Sequence, residues 1–431
     1  MRALWMTCLL ALVAVSGCVD DEPADAGEPM PVEDPWYTGE MGEWNVTEPF
    51  TRFGDIHTLE LPRVGNGIWI EEGILVHTNG VDLHVVDARD PTNLTLIGTL
   101  PDLPGARDVD VLDWNDHRYA IVAGSGNGMH IIDITDPSNP QLVTTAPVLN
   151  AGVHNLAAVD GTPYIYVAGA SGNSRRIDYV DISDPTTPTV GFFAMPATMT
   201  VNGVPNMPLE SDGCHDITVR VDLDRAYCAG GGGVYYGLGG ETFIWDISDA
   251  AGGPTNPTWI GAMDDPRIKY HHQVFPNTDG TILIINDEYV GPFLPGVPIG
   301  ANNCIDFPET PLPDNIDSGI PLAAAWIYDI SDESAPVQLS YVQNPSQGHA
   351  EGVPNPLEGN CGAHFGDIVT GHEAFVMAWY EGGTILVDFS EPATPEVLDI
   401  LPDVAGETWD AMYYDGYVYH ASGDLVATEL V

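Results

Sequence analysis

The 431-residue chain carries 63 acidic and 12 basic side chains, a formal charge of −51 at pH 7. A surface so acidic excludes nucleic-acid binding through a basic patch, and it should gain from salt or divalent cations that screen its self-repulsion. Beyond the N-terminus no stretch is apolar enough to span a bilayer.

The chain opens on "MRALWMTCLLALVAVSGC", a short basic start at Arg2 followed by an apolar run. This reads as a signal peptide over residues 1–17. "VSGC" resembles the cleavage site of bacterial lipoproteins, which would make Cys18 the lipid-bearing mature N-terminus; an ordinary secretory signal is the alternative. Both imply export, and the lack of a twin-arginine pair favours the general secretory route. Residues 18–48, with "DDEPADAGEPMPVEDP", are acidic, Pro-rich and without strand pattern. They read as a stiff solvated tether. The expected place is extracytoplasmic, at the cell envelope or surface, with membrane contact through the lipid alone.

From residue 49 onward a string recurs. "LHVVDARDPTNLTLI" at Asp87 returns as "IIDITDPSNPQLV" at Asp133, "IDYVDISDPTTPTV" at Asp181 and "FIWDISDAAGGPTNPTWI" at Asp246. "WIYDISDESAPVQL" at Asp329 and "ILVDFSEPATPEVL" at Asp388 complete six copies, spaced by 46, 48, 65, 83 and 59 residues. One unit repeated with insertions fits these spacings. In each copy an apolar, β-rich run suits a buried strand. An Asp-Pro corner stops it, because Pro presets φ and the Asp or Ser side chain bonds turn amides. The later Pro falls where a new strand begins and no ladder donor is needed. A second hairpin precedes each copy, as in "HNLAAVDGTPYIYVAG" (154–169) and "HFGDIVTGHEAFVMAWY" (364–380). Four strands per unit, repeated, predict an all-β propeller.

"WYEGGTILVDFSEPATPEV" (379–397) and "MHIIDITDPSNPQLV" (129–143) resemble the LVIVD-repeat propellers of bacterial and archaeal surface proteins, a likeness that runs from about residue 50 to 431. It implies the fold and little about function. Aligned first strands start at Asn66, Arg107, His154, His215, His272, His364 and Trp409. That gives seven blades; six would follow if one copy were misread. The seventh unit, "TWDAMYYDGYVYHASGDLVATELV", supplies only three strands, so "GDIHTLELP" (54–62) is expected to close it from the N-terminal side and remove an exposed edge. A ring of this kind is expected to act as a monomer.

Four cysteines follow Cys18 in a compartment that permits disulfides. Cys304 and Cys361 lie in long insertions of neighbouring blades and are paired on that ground. Cys214 and Cys228 belong to one hairpin, but a turn near Leu223 would set Cys214 opposite residue 232, which leaves that pair open.

The long insertions, 197–213, 230–240, 287–322 and 344–362, all enter on the face where the innermost strands begin. Elaborated loops over a rigid scaffold usually carry binding. Four consecutive blades start there with a histidine: His154, His215, His272 and His364. Neighbouring inner strands in such a ring lie roughly 6 Å apart, within imidazole reach. The four could hold one transition metal (zinc, copper, iron or nickel), with His271, His349 and Glu351 as additional ligands and Asp216 orienting His215. Arg107 in the same ring favours an anionic ligand. The competing reading is structural, one polar residue per blade tying blades together by hydrogen bonds.

No nucleophile elbow or phosphate loop stands out: "AGSGNG" (123–128) and "AGASGNS" (168–174) fit no G-x-S-x-G, and "GGGGVYYGLGG" (230–240) lacks the lysine and following helix. The expected role is a lipid-anchored binding or interaction module for an unidentified protein or small molecule. The alternative is a metal-dependent enzyme, similar at fold level to the selenium-binding and methanethiol oxidase propellers.

Overall fold

The computed structural model describes residues 50–62, 65–148, 153–169, 175–209, 211, 213–231, 240–288, 323–345, 362–402 and 408–431. The signal peptide, the tether and Cys18 therefore lie outside the described residues, as do His349, Glu351, Cys304 and Cys361.

The described residues form seven sheets, six of them four-stranded and antiparallel and one six-stranded, in which an added strand pairs parallel through Val201 and Ala262. Their innermost strands, taken from blade one to blade seven, are Ile68–Glu71, Ala106–Trp114, Val153–Ala158, Asp216–Arg220, His271–Pro276, Gly366–Ile368 and Asp410–Tyr414. Each packs against the next, and the last against the first, so the ring is a closed seven-bladed propeller. The N-terminal strand Phe53–Leu59 pairs with the C-terminal strand Leu425–Leu430 and completes blade seven, as the sequence predicts. Val431 reinforces the closure by accepting the amides of Thr51 and Arg52 and donating to the Arg52 carbonyl.

The recurring string owes its form to one turn. Asp87, Asp133, Asp181, Asp246, Asp329 and Asp388 each end a third strand. In all six the Oδ1 accepts the backbone N–H two residues on, from Arg89, Thr135, Ser183, Ser248, Ser331 and Ser390. The carboxylate replaces the lost ladder partner and fixes the corner. In five blades the outer strand then pairs through a register shift just above this turn. Gly98 and Gly261 follow the shift on the outer strand. A Cβ there would meet the Pro137 or Glu333 carbonyl of the next blade's turn at 2.3 or 2.6 Å, so glycine permits blade-to-blade contact.

The core is a set of wedges between adjacent blades. Trp245 and Tyr166 pack blade four on blade three, Trp326 and Tyr227 blade five on blade four, and Trp379 and Phe375 blade six on blade five. Burying each such ring contributes about 2–3 kcal/mol. Polar clamps join the inner strands below the mouth. Asp108 and Asp110 of blade two accept the amides of Leu156 and Ala158 in blade three. Asp367 of blade six accepts Tyr413 N–H in blade seven, and Asp410 of blade seven accepts Ile68 N–H in blade one.

Insertion 197–213 takes a different path from the one expected. It enters on the mouth face but forms a hairpin, Thr198–Val201 with Val204–Pro208, along the outer edge of blade four. Its Gly203 amide donates to the Ser334 carbonyl in a blade-five turn on the far face. The short β-rich run "TMTV" adds to an available edge, where backbone pairing outweighs solvation as a loop.

Candidate metal centre at the channel mouth

Arg107, His154 and His272 each sit at or beside the first pair of an inner strand, where the ladder shifts register. Such bulges turn a side chain out of the pleat. His215, His364 and Trp409 lie one or two residues ahead of their strands. Six side chains thereby gather around the axis. Ring centroids are 4.7 Å apart for His154–His215, 4.5 Å for His215–His272, 4.0 Å for His272–His364 and 4.6 Å for His364–Trp409. Arg107 Cζ stands 5.0 Å over the Trp409 ring. Asn66 turns aside and donates to the Ala106 carbonyl, tying blade one to blade two.

Two imidazoles have their tautomers set by the backbone. His215 Nδ1–H donates to the His272 carbonyl at 3.2 Å, and His364 Nδ1–H donates to the Trp409 carbonyl at 2.5 Å. A carbonyl only accepts, so the proton is on Nδ1 and each Nε2 keeps its lone pair. The Asn286 amide in turn holds the His364 carbonyl. His272 Nδ1 is buried and has no hydrogen-bond partner among the described residues.

Glu288 completes the cluster. One carboxylate oxygen lies 3.5 Å from His272 Nε2, and the other lies 3.9 Å from His364 Nε2 and accepts the Tyr380 hydroxyl. Single ligand atoms of His215, His272 and Glu288 all fall within 4.8 Å of one another. A tetrahedral zinc with ligands at 2.0–2.1 Å would draw them to about 3.4 Å. Two imidazoles and a carboxylate, with a third imidazole adjacent, suit zinc, iron, nickel or copper.

Burial sets the protonation states. It lowers His215 to about 4 and holds His154, His272 and His364 well below the ordinary imidazole value. Burial raises Glu288 to about 7 against the opposing effects of the Tyr380 hydrogen bond and the Arg107 charge. The histidines are therefore neutral donors, the form a metal requires.

The structure does not bring every expected residue here. His271 faces the other way, with Nδ1 at 2.8 Å from Thr242 Oγ1, because successive strand residues alternate sides. Asp216 does not orient His215, whose partner is the His272 carbonyl. It belongs instead with Asp108 and Asp410, whose charges add to burial in raising its pKa. Cys214 and Cys228 form a disulfide with Cα atoms 5.5 Å apart. The ladder pairs Asp216 with Ala229, but residues 214–215 precede the strand and bend back toward Cys228. Glu288 was not anticipated. Its place just after strand Ile282–Asp287, at the root of the longest insertion, was the available sign.

The class is thus a propeller with a polar, histidine-rich mouth. The LVIVD repeat matches residues 106–146 and 158–193, which frame blade two and most of blade three, so the chain carries LVIVD repeats. Among solved structures it is similar to the RRP9 WD40 repeats, with a TM-score of 0.57 and 9% identity over 88% of this chain and 98% of that one. U3-55K is similar with a TM-score of 0.55 and 10% identity over 87% of this chain and 98% of that one. At such identity the likeness is one of fold. No curated protein sequence matches the chain.

Proposed function

We propose that the chain is an exported, lipid-anchored propeller that acts as a binding module and holds one transition-metal ion at its mouth. His215, His272 and Glu288 are the ligands, with His364 beside them. The supporting observation is that backbone carbonyls fix the tautomers of His215 and His364 and leave their Nε2 lone pairs unused, that of His364 3.9 Å from the Glu288 carboxylate and a ligand atom of His215 within 4.8 Å of it. A histidine serving only to tie blades would need nothing at its second nitrogen. Export and anchoring rest on the "VSGC" stretch and on the acidic tether. Labelling cells with a palmitate analogue should tag the wild type and not Cys18→Ser; equal labelling would end the anchoring claim. The metal is tested by titrating zinc into the apo chain at high salt. One site per chain is expected, and no saturable site would refute it.

A further inference from the structure

Arginine is scarce here, and charge compensation makes one of them unusual. Among the described residues, the other partly buried or buried arginines each lie against a carboxylate: Arg118 on Asp113, Arg176 on Asp178, Arg220 on Asp222, Arg225 on Glu333 and Arg267 on Asp265. The lysine Nζ of Lys269 donates to the Pro266 carbonyl. Arg107 has no carboxylate or carbonyl partner for its guanidinium among the described residues; it rests on the Trp409 face at 5.0 Å. Its charge acts through space on Asp108 and Glu288 and lowers both carboxyls, yet no carboxylate oxygen pairs with it among the described residues. Stacking on an aromatic face leaves the N–H edge of guanidinium open for a planar or tetrahedral oxyanion.

Its position points to the same conclusion. Around the mouth the order runs Arg107, His154, His215, His272, His364 and Trp409, returning to Arg107. Arg107 therefore stands across the ring from His272, facing the proposed metal rather than beside it. An oxyanion bridging the two would span about 7 Å, with about 2.1 Å from metal to oxygen and about 2.8 Å from oxygen to a guanidinium nitrogen. We propose that the mouth binds a small oxyanion, a carboxylate or phosphate-like group, with one oxygen on the metal and another on Arg107. A free anion is repelled by the acidic surface. The two cationic groups facing each other make this the place where one is retained.

This inference rests on the metal reading, and the experiment separates the two. The full soluble chain is loaded with cobalt(II) as a spectroscopic stand-in for zinc and desalted. Inorganic phosphate, then acetate, is titrated at constant ionic strength by calorimetry and by the visible cobalt bands. The wild type should bind at one saturable site with a change in the bands. Arg107→Gln should weaken that binding at least tenfold with cobalt content unchanged, and Arg107→Lys should recover part of it. Equal anion affinity in Arg107→Gln and wild type, or no anion binding to the cobalt-loaded wild type, overturns the proposal. A wild type that takes up no cobalt overturns the metal reading instead. Phosphate is then titrated into the metal-free chain, where Arg107-dependent binding keeps the anion site and its absence ends it.

Discussion

The two faces of the ring are made from one repeat and differ in what they leave unsatisfied. On the far face, six Asp corners accept their own turn amides in the same geometry, and the hydrogen bonds close locally. At the mouth the equivalent strand starts carry Arg107, four histidines and Trp409. There, among the described residues, a buried imidazole nitrogen of His272 has no hydrogen-bond partner and Arg107 forms no ion pair. The far face behaves as scaffold. On the proposed reading, the mouth's unpaired polar groups are where a ligand gains most from pairing.

Breaking the ring should erase the contrast altogether. Deleting residues 50–59 removes the outer strand of blade seven and leaves Leu425–Leu430 as an open edge. Loss of solubility, or a melting temperature lower by several degrees in a thermal scan, is expected from a loss of a few kcal/mol. A truncated chain that melts like the full one would contradict the closure.

Glu288→Gln sharpens the comparison at the mouth. It keeps the shape and an acceptor for Tyr380 while removing the charge. Zinc affinity by competition titration should fall about 10- to 100-fold, with the melting temperature of the apo chain little changed. Asp133→Ala on the far face should do the reverse. It removes the partner of the Thr135 amide and of His117 Nδ1, costs about 1–2 kcal/mol in a denaturant melt, and leaves zinc affinity as it was.

Buried groups of opposite sign also make stability depend on pH. Burial raises Asp108, Asp287 and Asp410 to about 7, above the ordinary carboxylate value near 4. Their stabilising contribution is complete below about pH 4 and is lost as pH rises through 7. Burial lowers His77 and His420 to about 3 and His271 to about 4, so their contribution is present above about pH 6.5 and lost on acidification. In chelator, the melting temperature should rise modestly as pH falls from 8.5 to 6.5, then flatten as the histidines oppose the carboxylates. A steady fall over the first interval would show that the channel carboxylates stay ionised.

What could be read from the sequence divides along the same line. The far face was legible because its chemistry is local: an Asp and an amide two residues on need nothing distant. The blade count and the N-terminal closing strand followed from that periodicity, and so did the histidine ring, one residue per aligned strand start. The mouth was less legible because it departs from the repeat. Glu288 comes from the end of a second strand, which alignment of first strands does not sample. His271 and His272 are adjacent, and only the strand's pleat and shift decide which faces the axis. The Cys214–Cys228 pair was left open because simple hairpin counting assumes a regular ladder, while the chain leaves the ladder before Asp216.

The central claim is that the histidine mouth is a metal site. Elemental analysis of the purified soluble chain, dialysed against trace metals at high salt, tests it most directly. One transition-metal ion per wild-type chain, and none in a folded His215→Ala/His272→Ala variant, is the expected result. Equal metal content in both, or none in the wild type, would contradict it.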